Sequence, residues 1–123
     1  MKNINVKATN IELTPAISAY VEERVKALDK FIVAKDPDSV LANVEVGKVT
    51  QHHRSGDIFR AEINLHIGGE YFRAVSEKDD LYAAIDEMRD EIVREITSYK
   101  KKKRDLLRKG SAKIKKLLKG IRK

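Results

Sequence analysis

The chain predicts an α/β (α+β) fold: a two-layer sandwich in the order β-α-β-β-β-α, with two helices on one face of a four-stranded sheet. Three observations lead there. Apolar and polar residues alternate in separate short stretches, as in strands with one buried face. Two longer stretches carry apolar residues at three- and four-residue spacing, as in amphipathic helices. Two such stripes need one sheet face to cover them, and 123 residues leave room for one core and little more.

Ile4, Val6 and Ala8 alternate with Asn5, Lys7 and Thr9, giving the first strand. Thr14-Pro15 then reads as an N-cap followed by the first helical residue. Ile17, Val21, Val25, Leu28 and Ile32 form the first helical stripe, which Asp36-Pro37-Asp38 should end. Val40 to Val49 forms the second strand, and Thr50 to Asp57 a polar loop. Phe59, Ala61, Ile63, Leu65 and Ile67 alternate with Arg60, Glu62, Asn64 and His66 in the clearest strand of the chain. Gly68-Gly69 is a hairpin signal, so Tyr71 to Val75 should return as the fourth strand, with Leu65 facing Phe72 and Ile63 facing Ala74. Ser76, with Asp79 three residues on, is expected to cap the second helix. Leu81, Ile85, Met88, Ile92, Ile96 and Tyr99 form its stripe.

The charge is unevenly distributed. From Ser98 to Lys123 there are 13 Lys/Arg and one acid, a net +12. Since the whole chain carries +7, residues 1–97 carry −5. The division is thus a domain over 1–99 and a basic tail over 100–123, the tail an extension of helix two or disordered. Gly110-Ser111 reads as a break and a new cap, after which Ile114, Leu117, Leu118 and Ile121 resume helical spacing. Basic segments of this kind seek polyanions, either nucleic acid or an anionic membrane.

The absence of Cys excludes a disulfide scaffold, a thiol nucleophile and Cys-based zinc sites, and suits a reducing cytoplasm. No apolar stretch has the length of a signal peptide or a membrane span. Neither a GxSxG, an HExxH nor a GxxxxGK[ST] pattern occurs. His52-His53 are adjacent in a polar loop, which is poor metal-ligand spacing, and the acids of helix two read as solvated or paired with Arg89 and Arg94. The expectation is a protein that is not an enzyme, with no cofactor, no metal and no small-molecule substrate.

The basic residues off the helical stripes are the better lead. Arg24, Lys26 and Lys30 in helix one, and Lys78, Arg89 and Arg94 in helix two, would share one outer surface. Lys100, Lys101, Lys102, Lys103 and Arg104 follow as a cluster. Such a surface can follow phosphates along folded RNA, whose deep groove hides base edges.

Two stretches resemble the ribosome hibernation promoting factors, the family that includes the ribosome-associated inhibitor of the small-subunit interface. One runs from Asn10-Ile11-Glu12-Leu13-Thr14-Pro15-Ala16-Ile17 through Tyr20-Val21-Glu22-Glu23-Arg24 to Leu28-Asp29-Lys30-Phe31. The other, Asp79-Asp80-Leu81-Tyr82-Ala83-Ala84-Ile85-Asp86, is similar to the family's D-[DE]-[ML]-Y-x-A-I-[DN] motif. The resemblance covers about residues 1–100 and agrees with the predicted strand order. It implies binding to the small ribosomal subunit and its ribosomal RNA, in the groove used by mRNA and tRNA, with translation blocked by occlusion. Arg24, Lys30 and Arg94 fall at matching basic positions, Lys26 is one residue early, and Glu91 stands where relatives commonly place Lys. The 24 residues after Tyr99 are too few for the family's second domain, which implies a short form.

Two alternatives remain at this point. One is a stand-alone binder of structured RNA. The other is a membrane-surface protein acting through the basic amphipathic tail, the less expected partner. Replacing Arg24, Lys30 and Arg94 together should weaken ribosome binding and its salt dependence while leaving the fold intact.

Overall fold

The computed structural model describes Met1 and residues 3–32, 36–49 and 56–121, with 111–121 as helical backbone. Strand β1 (Asn3–Thr9) leads to helix α1 (Pro15–Lys26), then β2 (Val40–Val49), β3 (Ile58–Ile67), β4 (Glu70–Lys78) and helix α2 (Leu81–Ile121). The sheet order is β1-β2-β3-β4, with β1 parallel to β2 and the other pairs antiparallel. The predicted two-layer order is therefore the observed one. His52 and His53 lie outside the described residues.

The alternating patterns decide which face is buried. Ala42, Val44 and Val46 of β2, with Ala61, Ile63 and Leu65 of β3, point toward the helices and are at most 2% exposed. Val21, Val25 and Leu28 meet them from the α1 side, and Ile85, Met88, Ile92 and Ile96 from α2. The other sheet face is polar, with Asn5 Nδ2 donating to Asn43 Oδ1 at 3.0 Å and Glu62 accepting from Arg60 and Arg73 at 3.2 and 2.6 Å. His66 lies on this face against Tyr71, ring centroids 4.9 Å apart.

The hairpin register is the expected one: Leu65 pairs with Phe72 and Ile63 with Ala74. Gly68 supplies the positive φ of the turn, +59°. Thr14 is the N-cap of α1, its Oγ1 accepting from the Ile17 N–H at 3.2 Å, with Pro15 opening the helix.

Three expectations are corrected. Ser76 does not cap helix two. Strand β4 runs on to Lys78, and Ser76 pairs with Ala61 inside the ladder, buried, its hydroxyl donating to Glu87 Oε2. Asp80 takes the capping role, its Oδ2 accepting from the Ala83 N–H at 3.0 Å. Helix one ends early: α1 stops at Lys26 and Ala27–Phe31 tighten into a 3₁₀ turn, so Leu28 reaches the core while Ile32 is already extended. Finally, Gly110-Ser111 does not break helix two, whose backbone is helical to Ile121. One glycine in a long helix costs about 1 kcal/mol, too little to end it against helix-favouring neighbours.

Gly47 makes β1–β2 pairing possible at its far end. A Cβ there would sit 2.5 Å from the Thr9 carbonyl oxygen. Gly47→Ala is therefore expected to destabilise the fold by about 1–3 kcal/mol, measured by urea unfolding. An unchanged midpoint would mean that β1 shifts at no cost.

Candidate nucleic-acid interface

The helical layer carries most of the basic residues singled out in the sequence, and the structure separates them into three groups. The first lies in a groove of about 380 Å³ between the 3₁₀ turn after α1 and the middle of α2. Lys30, Arg89 and Arg94 line it together with one acid, Asp90, over Ala27, Phe31 and Val93. The Lys30 ammonium stands 5.2 Å from the Phe31 ring centroid, within cation–π reach. Arg89 pairs with Asp90 at 2.7 Å, and Arg94 with Glu91. Glu91 thus draws on Arg94 through an exposed ion pair. Such pairs are weak, so both arginines can exchange their partner for a phosphate. An anionic backbone in this groove meets cations from both helical segments at once.

The second group is built into the fold. Arg24 Nε donates to Asp86 Oδ1 at 2.9 Å, and its Nη2 donates to the Tyr20 hydroxyl at 3.0 Å. The Tyr20 hydroxyl in turn donates to Asp86 Oδ1 at 2.7 Å. The guanidinium also lies over the Tyr20 ring, 4.6 Å from its centroid, and Tyr20 meets Tyr82 edge-on at 4.8 Å. Arg24 therefore joins α1 to α2 as well as facing solvent. Lys78, expected in helix two, instead ends β4, because that strand pairs with β3 as far as Phe59, and it stands 3.3 Å from Glu87 beside the early turns of α2. Lys100 donates to the Phe31 carbonyl, tying α2 to the 3₁₀ turn.

The third group is exposed. Lys101, Lys102, Lys103 and Arg104 stand on α2 past the core, and Lys26 ends α1; none forms an ion pair among the described residues. These do not line the groove.

Sequence reading missed the Tyr20–Arg24–Asp86 arrangement. Tyr20 and Arg24 are four apart on one helix, which was a signal for their contact. Asp86, expected to be solvated or to serve Arg89 or Arg94, crosses to the other helix instead. Burial alone would raise its pKa, but hydrogen bonds from Tyr20 and Arg24 and the guanidinium charge hold it below the ordinary aspartate value. The same contact with Asp86 raises the Tyr20 hydroxyl. A lowered carboxylate pKa stabilises the fold above the unfolded value and loses that effect as pH falls through the folded one. Asp86→Asn should thus cost about 1 kcal/mol at neutral pH, a small figure because Asp86 is 41% exposed. The difference from wild type should begin to narrow as pH falls below about 4, and vanish only once pH is below the lowered folded pKa, in thermal unfolding. A gap independent of pH would exclude the charge as its source.

Among the described residues no group of three or more His, Asp or Glu could hold a metal ion. No helix among them is long and apolar enough to cross a membrane.

Fold and surface together define an α/β module whose helical layer gathers cations around a groove. The chain belongs to the sigma 54 modulation protein / S30EA ribosomal protein family, whose sequence profile matches residues 4–104. It is 33% identical to the ribosome hibernation promoting factor of Klebsiella oxytoca over 80% of this chain and 94% of that one. The Escherichia coli K12 protein of that name is 31% identical, with the same coverage. Among solved structures, the N-terminal domain of Thermus thermophilus Protein Y aligns with a TM-score of 0.65 at 30% identity, covering 79% of this chain and 98% of that domain.

Proposed function

We propose that this protein is a ribosome hibernation factor that binds the small ribosomal subunit through its helical face and stops translation by occupying space. It lies in the groove used by mRNA and tRNA, acts in the cytoplasm under stress or in stationary phase, and performs no chemistry. The observation that carries this reading is the groove in which Lys30, from the segment after α1, meets Arg89 and Arg94 of α2. Cations from two elements around one channel suit the phosphates of folded RNA, which are read by shape and charge. The Klebsiella and Escherichia relatives are named as ribosome hibernation promoting factors, which supports a ribosomal partner.

Sedimentation through a sucrose gradient with purified subunits tests it. The protein should travel with the small subunit, leave it when mRNA and tRNA are added in excess, and inhibit cell-free translation with saturation near one copy per ribosome. If the protein stays at the top of the gradient at low salt, or binds free duplex RNA as tightly as subunits, the reading fails.

A further inference from the structure

We propose that the part of α2 beyond Tyr99 is a docking helix for an anionic lipid surface. The α2 backbone runs unbroken from Leu81 to Ile121, but its last core contact among the described residues is Tyr99. At about 1.5 Å per residue, the segment after Tyr99 reaches about 33 Å along the helix axis. The family match ends at Arg104, so most of this segment lies outside what the chain shares with the profile.

Two features of the segment must be satisfied by one occupant. The first is charge: Lys100–Lys103, Arg104, Arg108 and Lys109 face a single acid, Asp105. The second is apolar surface: Leu106 and Leu107 are 67% and 64% exposed, the most exposed large apolar side chains among the described residues. They are not scattered. Leu106 lies 18 residues past Met88 (106 − 88), five whole turns at about 3.6 residues each, and Leu107 lies 11 past Ile96 (107 − 96), about three turns. The stripe that packs on the sheet therefore continues in phase beyond it.

A second copy of the chain is a poor occupant, because each tail carries +12. Phosphates of RNA satisfy the lysines but gain nothing from a row of leucines. An anionic bilayer satisfies both: headgroups attract the cations while the apolar stripe sinks about 5–10 Å into the interface. Clustered cations beside an in-phase leucine stripe are the pattern of a helix lying in that plane.

The test uses the full chain. It has no Trp, so Leu107→Trp provides a single reporter on the stripe. Its emission should shift to the blue with vesicles containing roughly one-third phosphatidylglycerol, and not with pure phosphatidylcholine. Leu106→Ser/Leu107→Ser keeps every charge and touches no core residue. It should lower affinity for the anionic vesicles at least about tenfold while leaving affinity for a short RNA duplex unchanged. The proposal is overturned if the full chain ignores anionic vesicles at about 0.1 M salt. It is equally overturned if the double-serine variant binds them as wild type does, or loses RNA rather than lipid.

Discussion

Replacing Lys30, Arg89 and Arg94 together with alanine is expected to weaken binding to the small ribosomal subunit by roughly two orders of magnitude at about 0.1 M salt. The slope of log affinity against log salt should fall by about 2–3, since each lost phosphate contact removes nearly one released counterion. The motivation is geometric, because these three line one groove. Each is free to leave the domain without opening the core: Lys30 leans on an aromatic ring, and the two arginines hold only near neighbours on their own helix. Arg24 is a worse choice for such a test than the sequence suggests. Its replacement would also remove the link from α1 to Asp86, mixing a binding effect with a folding one. Binding curves over several salt concentrations, with circular dichroism as the folding control, measure the effect. An unchanged slope with weakened binding would mean that the groove acts through shape rather than charge.

The second large effect concerns the core under that groove. Ile92 of α2 is fully buried, between the turns that present Arg89 and Arg94. Ile92→Ala removes three carbons from a packed site that the sheet beneath cannot fully close. The expected cost is about 3 kcal/mol. For a domain of this size, that lowers Tm by about 10–20 °C. Ile92→Val, which deletes one methyl group, should cost about 1 kcal/mol. Calorimetry on the three proteins checks the order. Equal losses for both variants would exclude cavity size as the cause.

The two results bear on each other. Ile85, Met88, Ile92 and Ile96 anchor α2 to the sheet, and that anchoring holds the α2 wall of the groove against Lys30 on the other side. A domain loosened at Ile92 should bind the subunit less well even with all its cations in place. The salt slope separates the cases: a core variant lowers affinity at every salt concentration and leaves the slope intact.

What could be read from the residues in order was the set of elements and their buried faces. Period two in β2 and β3 and period three-to-four in the helices state which side chains turn inward, and the sheet register follows. Leu65 opposite Phe72 is already implied by a two-residue turn between alternating strands. The boundaries were less legible. Ser76 has the right chemistry for a cap and the right distance from an acid, yet the pairing of β4 with β3 extends past it and draws it into the sheet. A ladder hydrogen bond and a buried position outweigh a local capping preference, and Asp80 was available to take the cap.

By itself, the sequence determined the two-layer α/β fold and which basic residues stand off the apolar stripes, because periodicity and charge are local properties of the chain. Only the tertiary structure decided which of those cations act together. Lys30 reaches Arg89 and Arg94 across about sixty residues of intervening chain, and Arg24 turns to Asp86 over a similar separation. The helix backbone also runs on past Gly110 instead of ending there. Such partnerships depend on how closely two packed elements approach and at what angle, and no spacing along a single element encodes that distance.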